Sequence, residues 1–402
     1  MRRAIAVPIL PRMWLSPPAR SLAPRLLAPL GALGDAELLD LMADDWETLS
    51  TRFEEHRVAA LAHWCAQQRG DLDRLPDAIV SRWGEERAGH TIRSLHLQRR
   101  LTELARLFAR EGLQAVALKG AYLAFFTYPE PALRPMRDLD FAFPDKTQAV
   151  AAWTLLRHAG YTLYQSFEGD PRALLDEKHQ LPTLIAPDGE VAIEVQHRLF
   201  HHGARDPAFE ARFWTDTQQK CLLDTAIRFP APHWLTLHIV VHGVRDHRFD
   251  SGPNVIADIA MLDRAGVLDR ERVASLAEDW GAGAEWSMIR ELVDAQWGEK
   301  SENSPELVDA WSLMLAPPET VTRARQRSRV LGGTGSNLRR KLLPNRALLE
   351  GRYGATGRWG LLAHAGRHYA HLLRNRLPAM LESAEPEVDA AMRRLDARLR
   401  QR

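Results

Sequence analysis

Asp138 and Asp140 are separated by a single leucine in the run Arg137-Asp138-Leu139-Asp140-Phe141-Ala142-Phe143. An Asp-x-Asp pair leading into apolar residues reads as a β-strand, where residues i and i+2 point to the same face. The two carboxylates then stand side by side, about 7 Å apart at their Cα atoms. Two such anions repel each other, and a hard divalent cation such as Mg²⁺ is the usual compensation. Taken alone the pair is a weak signal, because many Asp-x-Asp pairs are simply solvated.

A third carboxylate strengthens it. Glu194 lies within Val191-Ala192-Ile193-Glu194-Val195-Gln196, an alternating run that follows the turn signal Pro187-Asp188-Gly189. Ile193 and Val195 share the core side, so Glu194 and Gln196 share the other face with Ala192. A charged residue inside an apolar strand is costly unless it is paired or bound to metal. Two strands delivering carboxylates to one point is the geometry of two-metal phosphoryl transfer. Upstream, Lys119-Gly120 follows the apolar run Gln114–Leu118. Glycine allows close backbone approach to a phosphate, the N–H groups of the turn can donate to it, and Lys119 adds a cation. Arg134 and Arg137, just before the aspartates, are placed to neutralise phosphate charge.

The elements that must position these residues divide the chain into four stretches. Residues 1–34, rich in Pro, Ala and Leu, read as an irregular leader. Residues 35–111 read as helical, with Leu97, Leu101, Leu104, Leu107 and Phe108 on one stripe and a stop at Glu111-Gly112. Residues 112–205 alternate strand and helix signals. Residues 206–402 read as almost entirely helical, with one helix over Trp234–Val244. The fold class expected is α+β, a small mixed-sheet core embedded between N- and C-terminal helical regions.

Leu118-Lys119-Gly120, then Arg134-Pro135-Met136-Arg137-Asp138-Leu139-Asp140, then Ile193-Glu194-Val195, resembles a bacterial family of largely uncharacterised nucleotidyltransferases. That family belongs to the DNA-polymerase-β-like superfamily. The segments Leu237–Gly243, Ile256–Ala260 and Leu342-Leu343-Pro344-Asn345, with Tyr353, are similar to it as well. The resemblance implies a nucleotidyltransferase core, two Mg²⁺ ions held by Asp138, Asp140 and Glu194, and an NTP such as ATP as donor. It leaves the acceptor open among small molecules, peptides and proteins. One departure is visible. The family's third strand reads acidic-hydrophobic-His, whereas here Gln196 stands at that place and His197 comes one residue later.

Bulk composition sets outer bounds. The chain has 402 residues, 45% hydrophobic and 26% charged, and a net charge of +1. Nothing in that balance calls for nucleic acid or a membrane surface. Two distant cysteines, Cys65 and Cys221, argue against a disulfide scaffold and a thiolate zinc site, so a reducing cytoplasm is expected. The Met1–Pro11 stretch is too broken by prolines for a secretory signal, and no 18-residue apolar run is present.

Two other readings accompany the main one. His238 and His242, at i and i+4 with Asp246 and His247 nearby, could serve a metal phosphohydrolase. A packed helix is the favoured account of them, and a wall of the nucleotide cleft, with Asp258, lies between. The second reading is a nucleotide-binding scaffold with weak or no catalysis. Gly332-Gly333-Thr334-Gly335 lacks the ending of a P-loop and reads as a plain loop. The arginines of residues 316–346 read as a solvated face, with acceptor or nucleic-acid contact as the lesser alternative.

Overall fold

The computed structural model describes residues 15–31, 33–200, 206–297, 305–331, 364–366, 369–370 and 385–400. The leader Met1–Pro11, the Gly332–Gly335 loop, Arg339, Arg340 and Lys341, the Leu342–Asn345 segment and Tyr353 lie outside them.

The chain is an α+β protein. Helices α1 (Pro17–Leu26), α2 (Ala43–Glu55), α3 (Ala59–Arg69) and the long α4 (Asp77–Arg110) precede the sheet. The stretch expected to be irregular therefore holds a helix. Ser16 accepts from the Ala19 N–H and Pro17 sits at the first helical position, where its missing N–H costs nothing. Leu22, Ala23 and Leu26 bury the inner face of α1.

Strand β1 (Val116–Ala117), helix α5 (Gly120–Phe126), β2 (Asp138–Ala142), α6 (Lys146–His158), β3 (Thr162–Leu163), β4 (Leu184–Ile185) and β5 (Ala192–Gln196) follow in order. They form a five-stranded mixed sheet in the order β1-β2-β5-β4-β3. Only β2 and β5 run parallel; the other pairs are antiparallel. The alternation expected of β2 decides its orientation. Leu139 and Phe141 are buried on one face. Phe108 of α4 meets Phe141 and Phe143 edge-on, at ring-centroid distances of 5.2 and 5.3 Å. With that face committed to α4, Asp138 and Asp140 must occupy the other.

Beyond the sheet, a hairpin of β6 (Thr217–Leu222) and β7 (Thr225–Pro230) interrupts the region expected to be all helix. Its turn, Leu223-Asp224, has φ of 45° and 59° at both positions, a tight hairpin turn made without the usual Asn-Gly or Asp-Gly. The hairpin is not an outlying feature, since Phe229 packs edge-on against Tyr122 and Phe126 of α5. The helix expected over Trp234–Val244 is α7 (Pro232–Val240) running into a π-helical turn at Val241–Asp246. Helix α8 (Asn254–Arg264) then returns toward the core. Among the described residues, no helix is long and apolar enough to cross a membrane.

Because Phe108 is the contact that commits one face of β2 to α4, Phe108→Ala should cost about 3–5 kcal/mol. Chemical denaturation of wild type and variant measures it, and a loss below about 1 kcal/mol would refute this role.

Candidate active site

The carboxylate cluster follows from the pairing register. In the parallel β2–β5 pair, Asp140 stands opposite Glu194 and Asp138 opposite Ala192. Aligned residues on neighbouring strands share a face, so Asp138, Asp140 and Glu194 project together. Glu194 and Asp140 are close enough to repel each other, and Thr183 Oγ1 donates to Glu194 Oε1 at 3.4 Å.

Lys119 enters the same cluster. The Leu118 N–H bonds the Asp140 carbonyl at 3.0 Å, which carries the end of β1 alongside β2. Lys119 Nζ then donates to Asp140 Oδ1 at 2.9 Å, with only 6% of the Asp140 side chain exposed. Its backbone has φ 48° and ψ −118°, a sparsely populated conformation for an L residue that costs on the order of 1–3 kcal/mol. Gly120 begins α5, and its lack of a side chain has a cause beyond the one expected. A Cβ there would lie 2.8 Å from Cγ and Sδ of Met136.

Burial and mutual repulsion are visible in the protonation behaviour of the acids. Burial first, and Asp140 second, push the Glu194 carboxyl up to about 8, against the pull of Lys119. The same two causes, in the same order, raise Asp138 above the ordinary aspartate value. Burial alone would lower the Lys119 ammonium, but the attraction of Asp140, Glu194 and Asp138 holds it above the usual lysine value. The cluster is thus a set of acids under strain with one lysine as internal counter-ion.

Three carboxylates on one face suit a hard divalent cation in charge and in donor chemistry. As they stand, no three His, Cys, Asp or Glu side chains among the described residues are set to hold a metal ion. Lys119 Nζ occupies Asp140 Oδ1, so a cation at this carboxylate would take Oδ2 or displace the ammonium, and the residues fit a cation in kind.

Arg134, expected at the phosphates, is committed elsewhere. Its Nε and Nη2 grip Asp258 of α8 at 2.6 and 2.9 Å, and Tyr128 Oη donates to the same carboxylate at 2.8 Å. A guanidinium whose fork is filled by a buried carboxylate anchors α8 to the sheet and has little left for a substrate. Arg137 is exposed beside Asp138. A further arginine, Arg57, was not singled out by sequence reasoning. Burial first, then repulsion by Arg137 and Arg134, lowers its guanidinium to about 10, while Asp138 opposes the shift.

On another side stand His238 and His242. Burial first, then the Lys119 charge, pushes both well below the ordinary histidine value, so both are neutral at pH 7. Their rings are 6.2 Å apart, and His242 lies 4.2 Å from His247. Lys119 lies close enough to lower both rings, so this face is near the carboxylate cluster. His238 is buried edge-on against Phe200, the packing expected of a structural helix. Gln196 and His197 are both buried at the end of β5, with Gln196 opposite Ala142 and His197 Nδ1 paired to the His179 carbonyl at 3.1 Å. Among the described arginines after residue 316, Arg325 pairs with Asp250 at 2.7 Å and Arg327 with Asp389 at 3.6 Å.

Glu194 yields a signed pH prediction. Its folded value lies above its ordinary value near 4.5, so the stability it contributes is full below 4.5 and is lost as pH rises through about 8. Glu194→Gln should remove that loss, making the variant more stable relative to wild type at pH 8 than at pH 5 in chelator-containing buffer. A constant difference across this range in denaturation midpoints would refute the strained-acid account. By contrast, Asp258→Ala should cost about 3–5 kcal/mol in chemical denaturation, since it strips the carboxylate from the largely buried Arg134 fork, and a loss below about 1 kcal/mol would contradict the anchoring role.

A family model described as uncharacterised nucleotidyltransferase matches residues 42–297. No curated protein and no solved structure matches the chain.

Proposed function

The chain belongs to the uncharacterised nucleotidyltransferase family, and from that premise we propose that it transfers an NMP from an NTP to an acceptor nucleophile, with divalent-cation dependence. The observation that carries this reading is the register that sets Glu194 beside Asp140, with Asp138 on the same face. In the transfer an acceptor oxygen bonds to the α-phosphorus and loses its proton. The bond from that phosphorus to the bridging oxygen breaks, and pyrophosphate leaves. Asp138, Asp140 and Glu194 would hold Mg²⁺, which when bound supplies charge neutralisation and a more acidic acceptor hydroxyl.

The chain's own residues then have separable tasks. Asp140 and Glu194 fix the reacting centre to two rigid, adjacent strands. Lys119, already charged and beside Asp140, is placed to move its ammonium from carboxylate to phosphate when a nucleotide enters. Arg134 and Asp258 hold α8, and with it the wall of the cleft, in register with the sheet. The neutral histidines present that wall without adding charge. Two cysteines far apart in the chain are the ground on which we propose the cytoplasm as its location. ATP, Mg²⁺ and pyrophosphate release are parts of the same proposal, and the acceptor is left at the level of a small molecule, peptide or protein.

Incubation with each α-labelled NTP in turn, Mg²⁺ and a cell extract tests the proposal. A labelled product should form with wild type and fall by more than about 10³-fold with Asp138→Asn/Asp140→Asn, since the metal contribution is several kcal/mol. No transfer from any NTP, or equal transfer by the variant, would overturn it.

A further inference from the structure

Five helices among the described residues end on one hydrogen-bond pattern, in which the turning residue's N–H reaches three residues back and the next N–H reaches five back. At all five the turning residue is glycine, at Gly70, Gly112, Gly160, Gly266 and Gly281, with positive φ between 67° and 88°. Helix α2 ends on the same pattern. The Arg57 N–H bonds the Glu54 carbonyl at 2.9 Å and the Val58 N–H bonds the Phe53 carbonyl at 2.8 Å. Here the turning residue is an arginine, with φ 58°. Glycine adopts this conformation freely, whereas an L side chain pays for it. The backbone therefore does not explain the arginine.

The corner carrying Arg57 is held firmly. His56 Nε2 bonds the Ala316 carbonyl at 2.9 Å, and Asn254 Nδ2 donates to the His56 carbonyl at 2.9 Å. What the corner delivers is a half-buried guanidinium whose Nε is buried without a hydrogen-bond partner. Arg137, Arg134 and Arg93 repel it, and Asp138 is the acid that attracts it. Arg134 is occupied by Asp258. Arg93 spends its guanidinium on the Met136 and Glu190 carbonyls. Arg57, Arg137 and Arg93 thus gather close together at the Asp138 edge of the site, and admitting an anion lowers the repulsion among them.

We propose that Arg57, with Arg137, receives a phosphate group of the substrate at the Asp138 edge of the cleft. The inference rests on Asp138 belonging to the nucleotide site. Its recognition chemistry is a guanidinium donating to phosphate oxygens, and the phosphate comes either from the triphosphate of the NTP or from a phosphate-bearing acceptor.

The test titrates inorganic tripolyphosphate into the full chain by calorimetry in chelator-containing, low-salt buffer, with thermal midpoints taken in parallel. Arg57→Gly should bind tripolyphosphate at least tenfold more weakly while its midpoint stays the same or rises, because glycine suits the turn. Arg57→Lys, which keeps the charge, should bind with intermediate affinity. Asp138→Asn should bind as well as wild type or better, even though the proposed transfer predicts its loss of activity, so the anion site and the reaction can fail separately. Displacement of tripolyphosphate by an NTP identifies the triphosphate as occupant, and displacement only by a phosphomonoester such as glycerol phosphate identifies the acceptor. Equal binding by wild type and Arg57→Gly, or no binding by wild type, would overturn the proposal.

Discussion

Like charges on one face of two adjacent strands repel, and the arrangement around Asp138, Asp140 and Glu194 is organised by how that repulsion is offset. The register of β2 against β5 leaves no freedom to turn one acid away, because the opposite face of β2 is filled by Leu139 and Phe141 against α4. Relief comes from Lys119, whose ammonium reaches Asp140 only because the backbone at the end of β1 adopts a conformation that lysine disfavours. Local strain and an electrostatic debt are thus coupled at one residue, a pattern that concentrates at functional sites. A structural protein would meet the same packing demand with apolar or small side chains at Asp140 and Glu194.

The surroundings of the cluster are electrostatically lopsided. Toward Asp138 lie arginines from three separate parts of the chain, and toward Lys119 lie histidines kept neutral by burial. The cationic side favours a polyanion, and the neutral side adds no charge of its own. The buried Arg134–Asp258 pair and the Tyr128 hydroxyl join the two sides, tying α8 to the loop just before β2. Such a pair contributes less to net stability than to fixing one arrangement of helix and sheet.

Much of the core was legible in the sequence, because strand alternation is a short-range signal. The Asp-x-Asp face, the alternation around Glu194 and the apolar stripe of α4 each follow from a period visible within a dozen residues. Long-range partners were not legible. Nothing local distinguishes an arginine bound for phosphate from one that meets Asp258, which lies 124 residues away. The β6–β7 hairpin was hidden by a turn without glycine and by the polar strand Thr217-Gln218-Gln219-Lys220-Cys221-Leu222. Helix α1 was hidden by prolines, which break helix interiors yet start helices well. Arg57 was hidden because the helix end it forms lacks the glycine that marks such ends elsewhere in the chain.

The central claim is that the three carboxylates form a divalent-cation site used with a nucleotide. Its most direct test is Mn²⁺ electron paramagnetic resonance on the full chain, with and without a non-hydrolysable NTP analogue. The account predicts that the signal of free Mn²⁺ is lost as the ion binds, more strongly with the analogue present, and that Asp138→Asn/Asp140→Asn restores it. Binding that is absent with the analogue, or unchanged in the double variant, would contradict the account.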